Sequence, residues 1–200
     1  MIFSFTNGYI YILRLTIILL ALCVTTQAYA SDSTDPAAKS WYLLVGAGSS
    51  QPGWGNTKEK VETVDLILRH KRPQAKTRGS SWYLNRKSVL LEVPLTLLRQ
   101  PDEPAMIGFT MNVNWTFIAR QRFQPYMFIG GGPVYTRAEI PGTSSQLKGS
   151  YQAGIGADFS LGGIAMSLEY RYHHLSNGGI KEPNDSLNSG KILLGFRLPL

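Results

Sequence analysis

MIGFTMNVNWTFI, running from Met106 to Ile118, alternates from Ile107 to Phe117. Ile107, Phe109, Met111, Val113, Trp115 and Phe117 take the odd positions, while Gly108, Thr110, Asn112, Asn114 and Thr116 take the even ones. Successive side chains of a strand point to opposite faces, so this pattern builds one apolar face and one small or polar face. A sandwich strand sustains such alternation for about five or six residues. A tilted strand that crosses a bilayer needs about 9–11. The stretch therefore reads as a membrane strand.

The same pattern recurs along the chain, with no sustained helical period. Strands are expected over 41–49, 61–70, 87–98, 105–119, 123–136, 148–160, 162–176 and 189–200. Eight is an even number, as a closed outer-membrane barrel requires. In the sixth strand Ala153, Ile155, Ala157 and Phe159 alternate with Gln152, Gly154, Gly156 and Asp158. An eight-stranded barrel has an interior just wide enough for side chains to fill. The small and polar set, with Asp158, Glu169 and Arg171, is therefore assigned to the inside and the apolar set to lipid. The expected fold is all-β, an eight-stranded antiparallel transmembrane β-barrel. A soluble lipocalin-like barrel would reverse the two faces. The chain end, KILLGFRLPL, supports the membrane version: Ile192, Leu194, Phe196, Leu198 and Leu200 share one face.

Residues 1–30 are set apart as a signal peptide. Arg14 is the only charged residue there, the apolar run from Leu15 to Val24 follows, and Ala28-Tyr29-Ala30 supplies a small-x-small cleavage site. The barrel domain then spans 31–200. The single cysteine, Cys23, falls in the leader, so the exported part is expected to hold no disulfide. The chain is basic, with a formal net charge of +7. Seven Lys and Arg crowd RHKRPQAKTRGSSWYLNRK, from Arg69 to Lys87. In an exported protein this run points to anionic lipid head groups or a solvated loop rather than to nucleic acid. It fits the barrel poorly, because 71–86 should be a short periplasmic turn.

Near the end of the chain stands YRYHHLSNGGIKEPND, from Tyr170 to Asp185. Ile164, Met166, Leu168, Tyr170 and Tyr172 form the outward set of the seventh strand, and His174 and Ser176 continue its parity. Both should face outward, with Cα atoms about 6.5–7 Å apart. His173 belongs to the inward set. With both termini periplasmic, an odd-numbered strand ends at the outer surface, so the pair lies at the outer leaflet. A serine hydroxyl is a weak nucleophile until a base takes its proton, and that base must itself be oriented. Asn177, Asn184 and the backbone around Gly178-Gly179 are the nearby groups for an oxyanion. Taken alone, His-x-Ser admits two readings: an ester-cleaving pair, or a polar pair bonded to water at a barrel rim.

HLSNGGIKEPND, followed by a strand ending in FRLPL, resembles the PagL lipid A 3-O-deacylase family. WYLLVGAG and FQPYMFIGGGP also resemble its strands. The resemblance implies an outer-membrane barrel that removes an acyl chain from lipopolysaccharide, with His174 as base and Ser176 as nucleophile. It makes Asn177, Gly179 and Asn184 candidates for forming the oxyanion hole or positioning the loop. The family's third residue, a glutamate, falls here on Asn188. An asparagine fills that role in the larger outer-membrane phospholipase A family, so a phospholipase is the rival enzyme. A non-catalytic structural barrel is the rival from another class. Asp185 and Glu182 are alternative acids, and a glutamate at 188 is expected to preserve or raise turnover. No cofactor or metal site is expected. Gly130-Gly131-Gly132 lacks the Lys-Ser/Thr of a phosphate loop. The expected partners are lipopolysaccharide as substrate and the bacterial outer membrane around the barrel. Pairing of two copies into a homodimer stays open.

Overall fold

The computed structural model describes residues 38–99, 105–118, 123–137, 140 and 142–199. The leader expected over 1–30 and the terminal Leu200 lie outside them. The strands are β1 (Ser40–Ser50), β2 (Glu62–Arg78), β3 (Asn85–Leu98), β4 (Ala105–Gly108), β5 (Thr110–Phe117), β6 (Phe123–Thr136), β7 (Leu147–Leu161), β8 (Ile164–Ser176) and β9 (Leu187–Leu198). Pairing is antiparallel throughout, and β1 pairs with β9 to close the sheet. β4 and β5 form one stave. Both pair with β3 and with β6, and the register runs through unchanged from Ile107↔Tyr135 to Met111↔Gly131. The wall is therefore a closed eight-stranded barrel.

Two expected boundaries change, and proline explains part of the first. The strand expected over 105–119 is interrupted at Phe109, whose N–H donates to the Pro133 carbonyl at 3.0 Å. Pro133 has no N–H to return, and Pro94 on the other flank cannot donate either. The second change concerns the basic run. Residues 71–78 are not a connection but the far end of β2, which continues past the start of β1 and pairs with β3 through a bulge between Pro73 and Thr77. The turn that remains is 79–84, with a short 3-10 helix over Ser81–Tyr83.

The faces follow the alternation. Ile107, Phe109, Met111 and Val113 are exposed on the outer wall, whereas Thr110, Asn112, Asn114 and Thr116 are buried inside. Ile155, Leu168, Tyr170 and Ile192 likewise point out. Phe196 shares the parity of Ile192 yet is buried, flanked on the neighbouring strands by Leu43 and Met166.

The interior is built around charge. Arg69 Nε donates to Glu92 at 2.6 Å and its Nη2 to Glu169 at 2.6 Å. Arg171 binds the same two carboxylates at 3.0 and 2.6 Å. Tyr126, Thr110, Asn112 and Gln152 donate to them as well. Lys71 pairs with Asp158 and Lys191 with Asp65, each at 2.7 Å. Alternate residues of the basic run, Arg69 and Lys71, are thus counter-ions of acids inside the barrel, Glu92 and Glu169 buried and Asp158 half-buried. Burying these charges is tolerable only because each is paired and hydrogen-bonded.

The inside is less uniformly polar than its sequence suggests. Tyr126 and Phe128 turn inward beside Leu90, and Tyr42, Leu44, Ile67 and Leu193 form a second apolar cluster. Glycines make room for the rings: a Cβ on Gly156 or Gly154 would lie 2.5 Å from Tyr126 or Phe128, their cross-strand partners.

One end of the barrel carries the start of β1 and the two-residue hairpin of Gly162 and Gly163, two glycines at positive φ. The opposite end carries the 51–61, 137–146 and 177–186 loops. Short turns on the periplasmic side and longer loops outside are the rule for such barrels.

Two outcomes are expected. Phe109→Arg places a guanidinium in lipid at a cost of about 2–4 kcal/mol at mid-bilayer, so the yield of heat-modifiable, folded protein should fall well below that of Phe109→Leu. Arg171→Ala leaves Glu92 and Glu169 without one of their two cations, which typically costs about 3–5 kcal/mol. Its urea midpoint in detergent should drop accordingly, and an unchanged midpoint would refute the role given to the cluster.

Candidate active site at the outer rim

β8 delivers His174 and Ser176 to the outer end of the barrel, and β9 begins beside them. In the ladder His174 stands directly opposite Asn188, with Tyr151 on its other side. The three polar side chains meet in one line. His174 Nδ1 lies 2.8 Å from Asn188 Oδ1, and His174 Nε2 lies 3.2 Å from Ser176 Oγ. Asn188 and Ser176 are buried and His174 is half-buried. The Tyr151 ring lies 6.0 Å from the imidazole. His173 points the other way, into the barrel, where its Nε2 lies 2.9 Å from Ser150 Oγ.

The hydrogen bonds of Asn188 assign the imidazole tautomer. Asn188 Nδ2 lies 2.7 Å from the Trp54 carbonyl, which can only accept. The amide NH2 therefore faces Trp54, and Oδ1 faces His174. An amide oxygen accepts, so His174 Nδ1 must carry a proton. In the neutral ring, Nε2 then has its lone pair directed at the Ser176 hydroxyl. Such a line can draw a proton from serine.

Tyr172 donates its hydroxyl to the same Oδ1 at 2.6 Å. Parity places Tyr172 in the outward set but does not reveal the role of its hydroxyl. Trp54, Thr57 and Ser186 around Asn188 were also missed. The first two lie more than a hundred residues away in the chain, and no local pattern marks them. Tyr172 was within reach of the same parity argument that paired His174 with Ser176.

The remaining predicted residues organise the loop. Asn177 Nδ2 donates to the Ser144 and Lys181 carbonyls at 3.0 and 2.5 Å, while its Oδ1 accepts the Gly179 N–H at 2.9 Å. Asn184 Oδ1 accepts the Asn177 N–H at 2.9 Å. Gly178 and Gly179 both adopt positive φ, which glycine takes without strain. Thr143 bridges to Asn184, and Asp185 N–H donates to the Gly142 carbonyl, so the 137–146 loop clamps the 177–186 loop. The two alternative acids point elsewhere. Asp185 pairs with Lys58 at 2.8 Å, and this hydrogen bond, then its charge, raises the Lys58 pKa. Glu182 accepts the Asn184 N–H at 3.1 Å. Among the described residues no group of three or more His, Cys, Asp or Glu is placed to hold a metal.

A family model described as Lipid A 3-O-deacylase (PagL) matches residues 70–197. No curated protein matches the chain. Among solved structures, the outer membrane enzyme PagL aligns with a TM-score of 0.57 at 21% identity, covering 82% of this chain and 100% of that one. Neisserial surface protein A (NspA) aligns at 0.49 with 12% identity over 82% of this chain and 99% of its own. The Yersinia pestis outer membrane protein Ail gives 0.42 and 12% over 80% and 100%.

Asn177→Ala removes the side chain that ties 177–181 to the neighbouring loop. Each lost hydrogen bond is worth about 1 kcal/mol, so local opening should rise roughly ten-fold or more. Limited proteolysis of the folded protein should then nick the 177–186 loop faster while the barrel stays intact.

Proposed function

The chain belongs to the PagL lipid A 3-O-deacylase family of the bacterial outer membrane, and from this premise we propose that it cleaves its substrate through Ser176, His174 and Asn188. The observation that carries the reading is the unbroken line Ser176 Oγ, His174 Nε2, His174 Nδ1, Asn188 Oδ1, with gaps of 3.2 and 2.8 Å. Lipid A is the substrate. The site sits on the lipid-facing side of the rim, where an acyl chain can approach without entering the filled barrel.

In this mechanism Ser176 Oγ attacks the carbonyl carbon of the 3-linked acyl ester, and His174 Nε2 takes its proton. The tetrahedral intermediate collapses as the C–O bond to the sugar breaks and the imidazolium returns the proton to the departing oxygen. Water, activated by the same imidazole, then hydrolyses the acyl-enzyme and releases the fatty acid. Asn188 holds the ring in the tautomer that this sequence needs. Asn184 commits its amide oxygen to the Asn177 N–H, which leaves its NH2 as the donor for the oxyanion. Asn177 and Gly179 position the loop. The homodimer left open by the sequence gains no support from the family match.

The test is direct. Purified protein in detergent, incubated separately with lipopolysaccharide and with phospholipid, should release one acyl chain from lipid A, read as a mass loss. Lysophospholipid instead would favour the phospholipase, and no product from either would favour a structural barrel. Ser176→Ala and His174→Ala should abolish release while the barrel still assembles. His173→Ala should keep most of it, because that ring faces Ser150 inside. Retained turnover in Ser176→Ala would end this mechanism.

A further inference from the structure

Asn188 is held on two edges of opposite character. On one edge its Nδ2 lies 2.7 Å from the Trp54 carbonyl, 3.0 Å from Thr57 Oγ1 and 3.1 Å from Ser186 Oγ. The carbonyl is an obligate acceptor. Thr57 directs its single hydroxyl proton to the Ser186 carbonyl at 2.9 Å, so toward Asn188 its oxygen presents only lone pairs. With those lone pairs it also takes the Asn188 backbone N–H at 2.8 Å. On the other edge Oδ1 receives Tyr172 O–H and His174 Nδ1–H. Donors line one side, and on the other the Trp54 carbonyl and the Thr57 oxygen only accept, beside the Ser186 hydroxyl.

A neutral group with a donor on one edge and oxygen on the other, such as an amide, satisfies both, whereas an ionised carboxylate, which only accepts, does not. A carboxylate in the same place would set its second oxygen against the Trp54 carbonyl with no proton between them. Buried acceptors facing each other carry the full desolvation penalty of unmade hydrogen bonds. We propose that Trp54, Thr57 and Ser186 form a cradle that selects an amide at position 188, and that Thr57 is thereby a positioning residue of the active site. The inference rests on the His174–Ser176–Asn188 reading and deepens it. The loop between β1 and β2, with Thr57 lying 131 residues before Asn188, becomes part of the catalytic machinery although it touches neither substrate nor serine. It also reverses the expectation that a glutamate at 188 preserves or raises turnover: the family's carboxylate needs donors where this chain supplies acceptors.

Three variants of the full chain in detergent test it, each checked for heat-modifiable mobility and assayed for kcat and KM on lipopolysaccharide. Asn188→Asp keeps the shape and exchanges NH2 for oxygen. Thr57→Val keeps the shape and deletes the hydroxyl, and Thr57→Ser restores it. Asn188→Asp should lose at least ten-fold in kcat. Thr57→Val should lose at least roughly three- to ten-fold, since it deletes the bond from Nδ2 together with those to the Asn188 N–H and the Ser186 carbonyl, with KM unchanged. Thr57→Ser should stay within about two-fold of wild type, since it keeps those bonds. A merely structural threonine would show no such split between kcat and KM and no rescue by serine. Wild-type or higher turnover in Asn188→Asp overturns the cradle, and so does equal turnover in Thr57→Val and Thr57→Ser. Should Thr57→Val not assemble, the isosteric Asn188→Asp carries the test. Ser176→Ala, run alongside, separates the two levels. Turnover in Ser176→Ala sinks the serine mechanism itself, whereas an inert Ser176→Ala with a fully active Asn188→Asp sinks only the cradle.

Discussion

The buried cluster of Arg69, Arg171, Glu92 and Glu169 is the constraint on which the rest of the barrel depends. Its members come from β2, β3 and β8, and Tyr126, Asn112 and Gln152 bring in β6, β5 and β7. An ion pair placed on the lipid face would find neither water nor partners, so each of these residues has one tolerable side of the wall. A one-residue slip in any of these strands would turn its charges out and its apolar row in. The cluster therefore pins register in six of the staves at once. Once Glu169 and Arg171 point inward on β8, residues 170, 172, 174 and 176 must point outward. The rim site inherits its orientation from ion pairs deep inside the barrel.

This explains why so much was legible from alternation. Along Met106–Ile118 and along β8 the period-2 pattern is clean because one face meets lipid and the other meets a packed polar interior. Parity alone then placed His174 and Ser176 together and sent His173 inward, and Asn188 fell beside them because β9 pairs directly with β8. Element ends were less legible. The run from Lys71 to Arg78 looked like a loop because it is basic and contains Pro73, yet Lys71 is the partner of Asp158. Composition hid it, since a cation neutralised across the barrel by an acid 87 residues away looks the same in sequence as a solvated one. The apolar clusters inside were hidden similarly, because Tyr126 and Phe128 follow the inward parity and only their glycine partners on β7 show that the space exists.

The surroundings of Asn188 were illegible for a different reason. Trp54 contributes a backbone carbonyl, which every residue carries, and Thr57 contributes a hydroxyl in a loop without periodicity. Neither leaves a trace in spacing. Loop residues become part of a site through the fold's closure, in this case because β1 pairs with β9 and brings the β1–β2 loop over the start of that strand. Gln51 N–H donates to the Asn188 carbonyl and Lys58 pairs with Asp185, so the loop is tied to the rim at points on either side of Trp54 and Thr57.

The position of the site at the edge of the lipid phase gives the amide a physical logic. An ionised carboxylate next to hydrocarbon carries a large desolvation cost unless several donors surround it. An asparagine whose oxygen and NH2 are all hydrogen-bonded carries almost none. In the proposed mechanism it gives up the negative charge that would stabilise an imidazolium during attack by Ser176. In this chain Tyr172 and His174 both donate to one oxygen, so the polarity of that oxygen is all that the ring has to lean on. In the proposed mechanism orientation is then the dominant contribution of Asn188, and orientation is what Trp54, Thr57 and Ser186 would supply by holding its NH2. Under that mechanism the arrangement would exchange some transition-state stabilisation for a neutral group that a lipid-facing rim can hold in place.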